Sequence, residues 1–183
     1  MGEVKFTADP MSERQTLLVK RLTEEGQKTA AYFRSVPEAA FSQQVYTTGP
    51  EWRVRDLLAH FVSAEQIFAF YGRQILAGGS GAPEDFVLDE FNATQVAGFK
   101  NALVADLITQ FETARAETVA IVQGMTEADF ERVGRHPWFG VVALERMLKL
   151  IYRHNMLHER DIRKAIETSQ PVPHLDVKPP VAN

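Results

Sequence analysis

His154 and His158 stand four residues apart inside a run, Val141 to Ile166, that contains neither glycine nor proline. On an α-helix that spacing puts two side chains one turn apart and pointing the same way. Two imidazoles so placed can share one divalent cation, and neutral imidazole is the commonest side-chain ligand for zinc, nickel, copper and iron. A third ligand has to come from another segment, and His60 is the candidate. Three imidazoles leave coordination positions open, which is what separates a catalytic metal site from a closed structural one. The bland alternative is that these are core histidines, since a lone His on an apolar face is more often a hydrogen-bonded core residue than a ligand. Two core imidazoles in adjacent turns, however, present four ring nitrogens to be satisfied without water, which is costly.

Other chemistries find little support. A zincin helix needs Glu directly after its first His, where this chain has Asn155, and the inverted pattern needs Glu before the second, where it has Leu157. Glu159 follows His158 and faces another direction. Glu65 and Asp161 are candidates to accept imidazole N–H groups, with surface or interhelical ion pairing as the alternative for each. Gly78-Gly79-Ser80-Gly81 lacks the Gly-Lys-Ser/Thr of a phosphate loop, and no Gly-x-Ser-x-Gly elbow exists for a serine hydrolase. His136, in a loop, and His174, in a proline-rich tail, are read as bystanders. Trp138, Phe139 and Phe91 suit a pocket rim and core packing equally.

The chain of 183 residues is 45% hydrophobic, enough for one well-buried core. A net charge of -4 gives no general attraction to nucleic acid or to anionic lipid, so neither is expected as a partner. Arg153, Arg160, Arg163 and Lys164 alternate with Glu159 and Asp161, the pattern of a solvated helix face. There is no cysteine, so thiol chemistry here would need its sulfur on a cosubstrate. No basic start followed by an apolar segment marks a secretory signal, and Arg73 interrupts the most apolar stretch. A cytoplasmic protein is expected.

The elements that would position these residues read as helices. Ser12 with Gln15 makes a capping box ahead of a helix running to about Arg34. A second helix from near Trp52 to about Leu76 carries the stripe Val54, Leu57, Leu58, Phe61, Phe68, Ile75, with His60 at its edge. Gly78 to Pro83 stops it. A short helix is expected from Asp89 to Phe99 and a third long one from Leu103 to Val122, and Thr126 caps a turn through Phe130. In the last helix, Val141 to Ile166, the stripe Leu144, Met147, Leu148, Ile151, Ile162 turns polar midway at His154, Asn155 and His158. Arg135 to Gly140 reads as a tight aromatic connection, and no strand-period segment of any length appears. The reading is an all-α four-helix bundle with a long crossover connection over residues 12–168, an N-terminal arm over 1–11 and a proline-rich tail over 169–183.

Two segments, Trp52-Arg53-Val54-Arg55-Asp56-Leu57-Leu58-Ala59-His60 and His154-Asn155-Met156-Leu157-His158-Glu159-Arg160-Asp161-Ile162-Arg163, resemble the DinB/YfiT-like superfamily. The likeness is greatest to the branch of the mycothiol-dependent maleylpyruvate isomerase N-terminal domain, and covers roughly Ser12 to Ile166. Asp89-Glu90-Phe91-Asn92 and Trp138-Phe139-Gly140 look like that family's connections. The resemblance implies a four-helix bundle holding zinc or nickel on His60, His154 and His158. It implies action with a low-molecular-weight thiol on a small-molecule substrate, as an S-transferase or isomerase. A metal-dependent hydrolase and a non-catalytic metal-binding or stress-response protein are the alternatives. A homodimer is expected from base rates.

Overall fold

The structure is a computed structural model and describes residues 11–174. The N-terminal arm, apart from Met11, and the tail beyond His174 lie outside the described residues. Helix α1 (Glu13–Ser35) starts at the expected capping box, with Ser12 Oγ accepting from Gln15 N–H at 3.1 Å and Gln15 Oε1 accepting from Ser12 N–H at 3.3 Å. The Gln15 amide also donates to the carbonyls of Val122, Gln123 and Met125, and so satisfies the end of a distant helix. Helix α2 (Val54–Leu76) begins where Asp56 accepts from the Arg53 N–H at 3.0 Å. The short α3 (Leu88–Gly98) lies against α2, and α4 (Val104–Gln123) follows. Helix α5 (Leu144–Thr168) ends at Ser169, which takes a left-handed conformation at φ 52°.

The connection before α5 departs from expectation. Residues Val133–His136 (β1) and Gly140–Ala143 (β2) form an antiparallel hairpin, so Val141 to Ala143 belong to a strand rather than to the helix. β-branched Val141 and Val142 suit a pleated edge, and four residues are too few to show a period of two. The hairpin docks on the loop after α2 through Arg135 N–H to Ser80 O at 2.7 Å and Ala82 N–H to Arg135 O at 2.9 Å. Gly81, at φ 82°, makes this close approach possible, because a Cβ there would sit 2.6 Å from the Arg135 carbonyl oxygen.

Of the four long helices, α1 packs on α4 and α5, and α2 packs on the same two. Consecutive helices α1 and α2 therefore face each other across the bundle diagonal, as do α4 and α5. Helices α2 and α5 are neighbours, which brings the second and last long helices of the chain together. The interior holds two apolar clusters, one around Phe33, Tyr46, Phe61, Phe111 and Ile162, the other around Leu22, Ile75, Val122, Phe130 and Ile151. Between them, on α2, α4 and α5 in turn, fall the buried polar residues Glu65, Arg115 and Asn155. Past α5, Val172 pairs in parallel with Tyr46, its N–H reaching Val45 O at 2.8 Å and its carbonyl accepting from Thr47 N–H at 2.9 Å. No helix among the described residues is long and apolar enough to cross a membrane.

Candidate metal centre

The packing of α2 on α5 brings the three predicted ligands to one point. His154 Nε2 lies 3.0 Å from His60 Nε2 and 3.0 Å from His158 Nε2. One ligand atom from each of the three lies within 4.8 Å of the others. A ring nitrogen carries either one proton or one lone pair, and three lone pairs at this spacing repel one another unless something satisfies them together. One shared cation can, since imidazole nitrogens about 2.0–2.1 Å from a tetrahedral zinc stand roughly 3–3.5 Å apart. The residues present fit a divalent ion.

Each α5 ligand is tied through its other ring nitrogen. Glu65 is held by Arg115, whose Nε and Nη2 donate at 2.9 and 2.5 Å, while Arg115 Nη1 donates to Leu22 O at 2.8 Å. Arg115 passes α1 at Gly26, where a Cβ would lie 2.8 Å from its Cγ. Glu65, paired with a guanidinium, offers only acceptors, so the Asn155 amide turns its Nδ2 toward it, at 3.4 Å. Asn155 Oδ1 then faces His154 Nδ1 at 3.3 Å and accepts its proton. The same logic holds on His158: the Tyr46 hydroxyl donates to Asp161 at 3.5 Å, so its oxygen accepts from His158 Nδ1, 2.5 Å away. Both chains put the proton on Nδ1 and leave the Nε2 lone pair facing the common point.

His60 is different. It is buried against the Trp52 ring, centroids 4.7 Å apart, and its Nδ1 has no hydrogen-bond partner among the described residues.

Burial holds all three rings neutral, the form that binds metal. His154 is pushed down to about 4, chiefly by burial. His60 and His158 fall well below 6.5, by burial first and then by the neighbouring imidazoles. Burial, and then the charge of Asp161, raise the Tyr46 phenol well above its ordinary value, so it remains a hydroxyl.

His60, His154 and His158 are thus brought together. Glu65 and Asp161 reach the imidazoles through Asn155 and Tyr46 rather than directly, and Glu65 is also the interhelical ion-pair partner of Arg115. Tyr46 gave no signal in sequence, since it sits between turns where no periodicity exists. His174 stacks on His158 at 5.8 Å with the rings 6° apart, and meets Tyr46 at 4.5 Å, so it belongs to the wall of the centre. His136 is buried in the hairpin.

The sequence profile of the DinB superfamily matches residues 21–162. The chain belongs to the DinB superfamily. No curated protein matches it significantly. Among solved structures, it is similar to YfiT from Bacillus subtilis, described as "a probable metal-dependent hydrolase with an unusual four-helix bundle topology". That match has TM-score 0.68 and 17% identity over 93% of this chain and 96% of YfiT. The mycothiol-dependent maleylpyruvate isomerase matches with TM-score 0.68 and 14% identity over 83% of this chain and 63% of the isomerase. The colibactin self-resistance protein ClbS, solved with a double-stranded DNA, matches with TM-score 0.65 and 14% identity over 86% of this chain and 96% of ClbS. These likenesses establish the four-helix bundle of the superfamily as the fold.

Proposed function

We propose that this chain is a divalent-metal-dependent enzyme acting on small molecules, with His60, His154 and His158 as the ligands and zinc or nickel as the ion. The observation that carries this reading is the convergence of three neutral imidazole Nε2 atoms, two of them with their tautomer set by hydrogen-bonded chains. A divalent ion held there would supply Lewis acidity, lowering the pKa of a bound thiol or water. Asn155 and Tyr46 orient their imidazoles before any ion arrives, and three protein ligands leave room for a small molecule. Since the chain has no cysteine, a thiol nucleophile would come from a low-molecular-weight thiol cosubstrate, and the reaction would be its S-transfer to an electrophile or a related isomerisation. The mycothiol dependence of the similar isomerase supports that choice. Hydrolysis is the second reading, favoured by the description of YfiT. A cytoplasmic homodimer without a nucleic-acid partner completes the proposal; the net charge of -4 supports that last point, while the DNA bound to ClbS makes it worth an assay.

Elemental analysis of purified protein beside His154→Ala tests the centre. About one ion per wild-type chain and almost none in the variant are expected. Equal content in both, or none in the wild type, would sink it. Thiol consumption with a panel of electrophiles then separates transfer from hydrolysis. Chelation that unfolds the protein, rather than merely silencing it, would favour a structural, non-catalytic role.

A further inference from the structure

Residues Pro171 to His174 return to the centre from beyond α5, and their sequence suits that path. In an extended strand each residue turns its N–H and C=O to one side, and its neighbours turn theirs to the other. Val172 turns both toward the segment before α2, its N–H meeting Val45 O at 2.8 Å and its carbonyl accepting from Thr47 N–H at 2.9 Å. His174 N–H points the same way and donates to Thr48 Oγ1 at 3.1 Å, and the Thr48 hydroxyl donates to the His174 carbonyl at 3.4 Å. Pro171 and Pro173 occupy the alternate positions, whose N–H groups would face away from Val45 to Thr48. Proline there removes no hydrogen bond, and its fixed φ lowers the entropy lost when this strap docks. Val172 is buried in the same apolar cluster as Tyr46, which seats the strap in the core.

The strap delivers a ring to the centre. His174 lies parallel to His158, centroids 5.8 Å apart at 6°, and edge-on to Tyr46, 4.5 Å away at 67°. Tyr46 and His158 are themselves 6.0 Å apart at 61° and share the hydrogen bond between Oη and Nδ1. His174 therefore flanks both partners of the bond that orients one of the three candidate ligands.

We propose that His174 is a positioning residue of the metal centre, and that the strap carrying it holds Tyr46 and His158 in the geometry a divalent ion requires. It acts through the face of its ring rather than as a ligand, since the convergent nitrogens among the described residues are those of His60, His154 and His158. Strap docking and ion binding are then coupled, and the coupling is reciprocal: the docked strap raises zinc affinity, and zinc tightens the strap. This rests on the metal-centre reading above.

The test measures zinc affinity against a chelating dye and amide hydrogen exchange, both on the full chain. His174→Ala is expected to weaken zinc binding about tenfold while the metal-free Tm stays within about 2 °C of wild type. His174→Phe returns a flat ring without a ligand nitrogen, and its zinc affinity is expected within about threefold of wild type. In wild type, zinc is expected to slow exchange of the Val172 and Thr47 amides by about fivefold or more, an effect absent from His174→Ala. Wild-type affinity in His174→Ala would overturn the inference alone. So would a His174→Phe as weak as His174→Ala, which would assign the loss to a nitrogen rather than to the ring face. A wild type that binds no zinc would overturn the metal reading and this inference together. Should His174→Ala melt lower or fail to fold, exchange in the wild type decides. Slowing at Val172 on adding zinc supports the coupling, and an unchanged rate overturns it.

Discussion

The two sides of the candidate centre are built differently. On α5, His154 and His158 each hand their Nδ1 proton into a chain that ends on a carboxylate, through Asn155 to Glu65 and through Tyr46 to Asp161. On α2, the His60 ring packs against the rings of Trp52 and Phe61, and its Nδ1 has no hydrogen-bond partner among the described residues. One side fixes its rings by directional bonds, to Asn155 of α5 itself, which is tied in turn to Glu65 of α2, and to Tyr46 on the loop before α2; the other fixes its ring by shape. Hydrogen bonds set an imidazole's tautomer and orientation, whereas packing sets position and leaves the ring freer to turn. The α5 pair is thus the preformed half of the site and His60 the half that adjusts.

The largest effect expected from breaking this asymmetry comes from its anchor. Arg115→Met leaves Glu65 buried and unpaired, which should cost about 3–5 kcal/mol in chemical denaturation. Pairing it with Glu65→Leu should restore most of that loss. A cost below about 1 kcal/mol would show that the α5 side is not held from α4.

Acid should next erase the difference between the two sides. The metal-free protein holds His154 at about 4, against 6.5 ordinarily. Below pH 6.5 the unfolded chain takes the proton first, so stability is whole above that value and is lost as pH falls toward 4. Thermal melts of metal-free protein across this window check the sign, and a Tm rising with acid would contradict it.

A smaller and sharper contrast compares Tyr46→Phe with Trp52→Phe. Removing the Tyr46 hydroxyl should weaken zinc binding by about tenfold or more, in the range found for groups that orient a ligand. Trp52→Phe keeps an aromatic face on His60 and should change affinity by less than about threefold. Competition against a chelating dye measures both, and comparable losses would end the comparison.

The four long helices were readable because each carries its own punctuation, such as Ser12 with Gln15 ahead of α1 and Gly78 after α2. The meeting of His154 with His158 was readable because both lie on one helix, where spacing alone decides geometry. His60 could be named as the third because it sat at the edge of an apolar stripe and ended one of the two segments that resemble the superfamily. Tyr46 could not be named, since its place beside His158 depends on how the segment before α2 folds back over α5. Nor did the pattern reveal that Asn155 stands between Glu65 and His154, because a stripe records which face a residue occupies and not which partner it meets. The helix limit at Val141 was misplaced for a local reason: two valines continue an apolar run equally well as strand or as helix.

The diagonal wiring of the bundle has a consequence for how the protein is made. His60 precedes its partner His154 by 94 residues, and both remaining imidazoles arrive together on α5, the last of the long helices to leave the ribosome. A nascent chain that has released α1, α2 and α4 offers an ion a single nitrogen and cannot retain it. If the centre holds the proposed ion, its capture would mark the joining of α5 to α2, and a polypeptide stalled before Tyr152 would emerge from translation without it.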